Sequence, residues 1–211
     1  MTGSPPDAAA TLTVAADGYT DLPPGILATL VTYLEMTAPV APRSARAIAD
    51  LRIDPVRDPD LGWYRRLYAL IGEPWLWFSR RALPDADLRS ILTDPSVEVF
   101  VLRHGREEIG LLELDGRVPG EIEIAFFGLV PEAIGSGVGR HLMNEALRRA
   151  WARQGVARVW LHTCAFDHPD ALAFYRRSGF VPVKFALEIG PDPRLTGILP
   201  RTAAPQVPLI G

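Results

Sequence analysis

Three glycines at alternate positions, Gly135, Gly137 and Gly139, sit in the run Ile134-Gly-Ser-Gly-Val-Gly-Arg-His-Leu-Met143. The residues before this run read as the end of a strand, and those after it as a helix. The first backbone N–H groups of a helix lack intrahelical partners, and the helix dipole adds partial positive charge there. Glycine leaves those groups unshielded, so the loop suits an anion, phosphate or pyrophosphate first of all. Spacing narrows the choice. A dinucleotide fingerprint needs a further glycine three residues on, but Arg140 stands three after Gly137 and Leu142 three after Gly139. A Walker loop needs Lys-Ser/Thr after its last glycine, and here Arg140-His141 follows. Neither fits. A glycine-rich turn that merely joins a strand to a helix remains the alternative.

Read with its flanks, the loop resembles the pyrophosphate loop of the GNAT superfamily of acyl-CoA-dependent N-acetyltransferases, (Gln/Arg)-x-x-Gly-x-(Gly/Ala). Here that pattern becomes Ile134-Gly-Ser-Gly137-Val-Gly139, with Ile134 where the family usually has Gln or Arg. A second stretch, Asp167-His-Pro-Asp-Ala-Leu-Ala-Phe-Tyr-Arg-Arg-Ser-Gly-Phe180, resembles the family signature Asn-x-x-Ala-x-x-Leu-Tyr-x-x-x-Gly-Phe. The resemblance covers roughly residues 50–190. It implies an α/β fold with a mixed, twisted central sheet, helices on both faces and an N-terminal strand/helix extension. It implies acetyl-CoA as co-substrate, held by Ile134, Gly135, Ser136, Gly137, Val138, Gly139 and Arg140. His168, which replaces the family Asn, is expected to help hold it. In the family the preceding strand end splays from its neighbour, which assigns the backbone of Leu129 and Val130 to the pantetheine and the thioester oxygen. An N–H aimed at a developing oxyanion stabilises it without reorganisation. Gly128 permits the bend or bulge this needs.

An amine acceptor must lose a proton before it attacks a thioester, and a nearby carboxylate is a suitable base. Alternation along the strand Ile122–Val130 puts Ile122, Ile124 and Phe126 on one face and Glu121, Glu123, Ala125 and Phe127 on the other. Glu123 stands 11 residues before Ile134, the spacing at which the histone-acetylating branch of the family carries its general base. A carboxylate flanked by apolar residues should have a raised pKa if dry. Glu121 is the reserve candidate, and a solvated charge on an exposed sheet face is the plainer reading. Tyr175 fills the tyrosine position of the second signature, where its hydroxyl would protonate the departing thiolate. The pKa values of phenol and thiol are close enough for that transfer to be nearly balanced. A ring packed in the core is the alternative.

His162 and Cys164 share a strand face, and His168 follows. A structural zinc wants four ligands and no second cluster is near in sequence, so no metal is expected; Cys164 reads as core. Trp63, Tyr64, Tyr68, Trp75, Trp77 and Phe78 lie where the family forms the acceptor side of its cleft, and they read either as an acceptor pocket or as core packing. Arg65-Arg66 and Arg80-Arg81 read as solvated helix surface.

These residues need a frame. Pro23-Pro24 can open a helix carrying Ile26, Leu27, Leu30, Val31 and Leu34, and Leu12–Val14 reads as a short strand. Next come a strand at Leu51–Ile53, helices near Leu61–Ile71 and Asp85–Leu92, and strands at Val97–Arg103, Ile109–Leu114 and Ile122–Val130. The helix after the glycine loop, placing Val138, Leu142, Ala146, Leu147 and Ala150 on one face, should be capped by Gly155. It leads to a parallel strand at Val159–Leu161, a helix at Asp170–Ser178 stopped by Gly179, and a strand at Phe180–Ile189. Residues 1–10 read as a mobile tail. The division is an N-terminal extension packing on the core (1–50), an acetyltransferase domain (51–190) and an irregular C-terminal arm (191–211).

A chain of 211 residues with 48% hydrophobic residues can bury a real core. A net charge of −3 argues against a general nucleic-acid partner. A lone cysteine, no secretory leader in residues 1–20 and no long apolar run lead to an expectation of a cytoplasmic protein without a membrane partner. The resemblance implies transfer of an acetyl group from acetyl-CoA to a primary amine of a small molecule by direct attack in a ternary complex. A protein lysine as acceptor, and a non-catalytic acyl-CoA-binding module, stay open, as does a homodimer.

Overall fold

A computed structural model describes residues 12–211; the tail expected for residues 1–10 lies outside the described residues. In chain order the elements are β1 (Ile26–Met36), β2 (Leu51–Val56), α1 (Leu61–Gly72), α2 (Ser79–Ala82), α3 (Asp85–Leu92), β3 (Val97–His104), β4 (Glu107–Asp115), β5 (Glu121–Leu129), α4 (Val138–Ala152), β6 (Arg158–Cys164), α5 (Ala171–Arg177) and β7 (Val181–Pro191). Two 3-10 turns, Glu73–Trp75 and Pro131–Ala133, interrupt the connections. The strands form one seven-stranded sheet in the order β2-β3-β4-β5-β6-β1-β7. All neighbours are antiparallel except β5 and β6, which run parallel because α4 crosses between them.

Two segments near the N-terminus differ from expectation. Residues 26–36 form a strand rather than a helix, and it lies between β6 and β7 inside the sheet. Ile26, Leu30, Val31 and Leu34 do recur at helical spacing, but Thr29, Val31, Thr32 and Tyr33 favour extended backbone, and the two neighbours satisfy both edges of the strand. Leu12–Val14 forms no strand; it is absent from the sheet and Val14 is exposed. The stretch joining β1 to β2 is tied to the later helices. Arg46 O accepts from His141 Nε2 at 2.8 Å, and Arg43 O accepts from Asn144 Nδ2 at 2.8 Å.

Helices cover both faces. Leu129 packs toward Gly139 of α4, while a side chain on its neighbour Gly128 would clash with Ile71 of α1 and Trp77. Consecutive strand residues point to opposite faces, so α1 and α4 lie on opposite sides of the sheet. Asp60 caps α1 by accepting from the Trp63 N–H at 2.8 Å, and Tyr64, Leu67, Tyr68 and Ile71 bury one helical stripe. On α4 the stripe is Val138, Leu142, Met143, Ala146, Leu147 and Ala150. That helix ends at Ala152, with Arg153 already extended, so Gly155 lies in the turn beyond rather than at the cap. Gly179, with φ of +105°, follows α5 and donates its N–H back to Arg176 O.

A bulge in β5 changes which side chains face the site. Glu113 pairs with Phe126 but Leu114 pairs with Ile124, leaving Ala125 unmatched. Strict alternation breaks there. Phe126 therefore shares a face with Glu123, packing on Tyr68 and Trp77, whereas Phe127 turns to Phe174 and Tyr175 of α5. This reverses the expected placement of both phenylalanines. The bulge falls at Ala125, three residues before Gly128, whose missing side chain instead admits Ile71 and Trp77.

Candidate active site

β5 and β6 pair only from Glu121–Arg158 to Glu123–Trp160. Beyond that both strands continue, and they diverge. A cavity of about 950 Å³ fills the gap and reaches both faces of the sheet, with Glu123 and Phe126 at one side and Phe127, Phe174 and Tyr175 at the other. The backbone along its edge is only partly free. Val130 donates its N–H to Ile109 O at 3.0 Å, so its amide is spent on β4 and cannot serve a ligand as expected. Alternate residues of an antiparallel ladder turn their N–H groups the same way, so Leu129, one residue earlier, directs its own N–H toward the gap.

The glycine loop divides similarly. Ile134 donates to Pro131 O at 3.2 Å, Ser136 to Ala133 O at 3.4 Å and Arg140 to Gly137 O at 3.1 Å, so three amides of the expected cradle are occupied. The N–H groups of Gly135, Gly137, Val138 and Gly139 make no hydrogen bond among the described residues. Gly135 and Gly137 hold φ of +81° and +92°, where other residues are strained, and a Cβ on either would meet no atom within 4 Å. Bare, unpartnered amides at the start of a 15-residue helix fit a pyrophosphate.

Positive charge gathers beside them. Arg140 stacks its guanidinium 4.8 Å from the Phe174 ring and donates to Ser178 Oγ at 2.9 Å. Burial, followed by the charges of Arg43 and Arg177, lowers its pKa below the usual arginine value. None of these three arginines pairs with a carboxylate among the described residues. An anionic ligand would relieve their mutual repulsion.

Glu123 lines the cavity with its side chain 22% exposed, and its Oε1 lies 3.4 Å from His162 Nδ1. The carboxylate is thus neither dry nor alone. The hydrogen bond to Glu123 raises the His162 pKa above its ordinary value, against the opposing effect of burial. Glu121 is engaged elsewhere: it and Glu35 both grip Arg158, at 2.9 and 2.7 Å. Tyr175 has a buried ring, and its hydroxyl makes no hydrogen bond among the described residues while the residue lines the cavity. Burial, with the nearby charge of Asp167 second, pushes its pKa well above that of an ordinary phenol. The phenol stays protonated through the neutral range, and complete proton transfer to a thiolate is less balanced than the ordinary pKa suggests.

Asp167 ties the two sides of the cleft together, a role its place at the head of the second signature did not disclose. Oδ1 accepts from Trp77 Nε1 at 3.0 Å, and Oδ2 accepts from the Thr163 hydroxyl at 2.6 Å and the Cys164 N–H at 2.9 Å. It thereby fixes the turn after β6 to the aromatic wall after α1. His168 lines the cavity edge-on to Trp75, with ring centroids 5.2 Å apart. Its Nδ1 accepts from the Asp170 N–H at 3.1 Å, which assigns the proton to Nε2 and leaves that nitrogen a donor. Cys164 is half-buried on the cavity wall rather than in the core, because β6 has left β5 by then. Burial raises its thiol pKa, which keeps it an unreactive thiol.

Of the aromatic group, Tyr68, Trp75, Trp77 and Phe78 line the cavity. Tyr64 is fully buried, and Trp63 donates to Glu108 at 2.9 Å. Arg80 is not solvated surface: it pairs with the completely buried Glu113, which also accepts from the Tyr64 hydroxyl, and its guanidinium lies 4.9 Å from the Phe126 ring. A carboxylate set in the apolar run of β4 and an arginine 33 residues earlier gave no sequence signal of this pairing. No group of three or more His, Cys, Asp or Glu side chains able to hold a metal occurs among the described residues.

An alternating-glycine cradle thus starts a helix beside parallel strands that diverge at a cavity. The family model "Acetyltransferase (GNAT) family" matches residues 64–180, more than half of the chain, and the chain belongs to that family. Solved structures agree on the fold. A GCN5-related N-acetyltransferase from Sphaerobacter thermophilus is 19% identical with a TM-score of 0.54, covering 77% of this chain and 51% of its own. A GCN5-related N-acetyltransferase from Kribbella flavida is 17% identical with a TM-score of 0.54, covering 82% of this chain and 63% of its own. A putative GNAT-family acetyltransferase from Novosphingobium aromaticivorans is 17% identical with a TM-score of 0.54, covering 82% and 70%. The chain thus spans only about half to two-thirds of the first two. No curated protein matches it by sequence. No described helix is long and apolar enough to cross a membrane.

Proposed function

We propose that the chain transfers an acetyl group from acetyl-CoA to the primary amine of a small molecule by direct attack. The observation that carries this reading is the meeting of three features on one cavity: the bare amides of Gly135, Gly137 and Gly139, the Glu123–His162 pair and the free Tyr175 hydroxyl. When bound, acetyl-CoA supplies the acetyl group as an activated thioester. The amides of Gly135, Gly137, Val138 and Gly139 hold its phosphates, with Arg140 beside them. The Leu129 N–H offers a hydrogen bond to the acyl oxygen. Glu123 takes the ammonium proton of the acceptor, directly or through water, and His162 holds that carboxylate in place. Tyr175 donates its hydroxyl proton toward the departing sulfur.

Incubation with radiolabelled acetyl-CoA, a panel of small primary amines and a deproteinised or whole lysate tests this. Label in the small amines supports the reading. Label confined to lysate proteins would make a protein lysine the acceptor, and no transfer at all would leave an acyl-CoA-binding module.

A further inference from the structure

The segment after β7 is irregular, as its prolines dictate, but it is pinned. Arg194 and Asp192 form a buried ion pair at 2.7 Å. The same guanidinium donates to Val207 O at 2.7 Å, Pro208 O at 3.2 Å and Ala203 O at 3.3 Å. One side chain therefore closes residues 192–208 into a fixed loop. Three outer ties reach two places: Gly25, by Asp192 N–H to Gly25 O at 2.9 Å and Gly25 N–H to Ile210 O at 2.8 Å, and Pro74, by Gln206 Nε2 to Pro74 O at 2.6 Å. Leu199, Ala203 and Ala204 bury themselves against Leu76, which holds a left-handed φ of +58° unusual for a branched residue. Phe78 and Phe166 back onto this cluster and present their other side to the cavity, where Pro193, Thr196 and Ile198 complete the wall.

We infer that the arm is a specificity element: Ile198, with Trp75, Phe78 and Phe166, forms a rigid apolar subsite that selects a primary monoamine carrying a ring-sized apolar body. The inference rests on the reading of this cavity as the acceptor side of a transferase. Charge supports the choice of a monoamine. On this wall Glu123 already faces His162, Asp167 accepts three hydrogen bonds, Arg80 pairs with Glu113 and Arg117 pairs with Asp115. Among the cavity's carboxylates only Glu188, in β7, and Asp170, just before α5, have neither an ion pair nor a side-chain hydrogen bond among the described residues. A polyamine would set part of its charge against this apolar wall, whereas a single ammonium near Glu123 leaves only the ring facing the arm.

Calorimetry on the CoA-loaded protein at physiological salt tests this with three probes: 2-phenylethylamine, ethylamine and spermidine. The subsite predicts that 2-phenylethylamine binds at least tenfold tighter than either of the others. Ile198→Trp, which fills the space, should weaken it at least tenfold without changing CoA affinity. Ile198→Ala, which keeps the space but removes apolar contact, should weaken it at least threefold and covers the case in which the larger residue disturbs folding. Spermidine as the tightest probe, equal binding of all three, or unchanged 2-phenylethylamine affinity in both variants would overturn the inference. The expected binding order without acetylation of any probe would instead overturn the transferase reading and leave the subsite standing. Equal acetylation efficiency for ethylamine and 2-phenylethylamine would do the reverse.

Discussion

Glu123 Oε1 and His162 Nδ1 lie 3.4 Å apart, Glu123 in the last paired rung of β5 and β6 and His162 two residues beyond it, just where the strands part. For the proposed base this position joins two requirements. The carboxylate must reach into the cavity, and it must be held by something other than a permanent cation, or it would lose basicity. Glu121, one turn of the pleat earlier, is gripped by Arg158 and fails the second requirement. Because the hydrogen bond to Glu123 raises the His162 pKa, removing that carboxylate should bring the imidazole back toward its ordinary value near 6.5.

Glu123→Gln should therefore lower the His162 pKa, read by NMR titration, and reduce kcat about 10²–10⁴-fold with little change in KM for acetyl-CoA. The stability consequence has a definite sign. A raised folded-state pKa contributes stability that is fully present below the unfolded value near 6.5 and is lost as pH rises through the folded value. Denaturant unfolding should show wild type ahead of Glu123→Gln on the acid side of that window and level with it on the alkaline side. The pair is partly solvated, so the difference should be small.

Tyr175→Phe should cost almost no stability, since the hydroxyl it removes has no hydrogen-bond partner among the described residues. Turnover with acetyl-CoA should fall at least tenfold while CoA affinity is kept. A donor whose leaving thiol has a lower pKa should recover much of the loss. Wild-type turnover in the folded variant would return Tyr175 to a packing role.

Gly137→Asp should weaken CoA binding by well over tenfold. The substitution strains a backbone held at φ of +92° and sets a carboxylate beside the free amides. Gly137→Ala separates the two effects, because the added methyl meets no protein atom and only the strain, about 1–2 kcal/mol, remains. Calorimetry with CoA, paired with thermal melts, reads both.

Arg194→Met should destabilise the fold by about 3–5 kcal/mol, because it leaves the Asp192 carboxylate buried without its partner. Replacing both residues with apolar ones should recover part of that loss. Urea unfolding of the single and double variants measures it. A single variant as stable as wild type would show that the arm contributes nothing to the fold.

Helix and strand periodicity made α1, α3, α4 and the β3–β5 meander legible in advance, and the glycine spacing pointed to the unpartnered amides at the start of α4. What escaped depended on partners distant in sequence. The strand at Ile26–Met36 carries apolar residues at helical intervals, and only the slot between β6 and β7 decides its conformation. The bulge at Ala125 is a mismatch between two strands, so no pattern within β5 alone reveals it. The same holds for Arg80 and Glu113, and for Trp77 and Asp167, whose contacts bridge 33 and 90 residues. The spent amide of Val130 needed the neighbouring strand to be seen.

Direct transfer to a small primary amine is tested most sharply by a single turnover. The protein, loaded with radiolabelled acetyl-CoA and mixed with 2-phenylethylamine or another amine it binds, is quenched over time and its label divided among donor, protein and amine. The account predicts that label leaves the donor and enters the amine at one rate, with none passing through Cys164 or any other side chain, and that Glu123→Gln slows this step at least a hundredfold. Label accumulating on the protein before it reaches the amine, or transfer at the wild-type rate in Glu123→Gln, would contradict it.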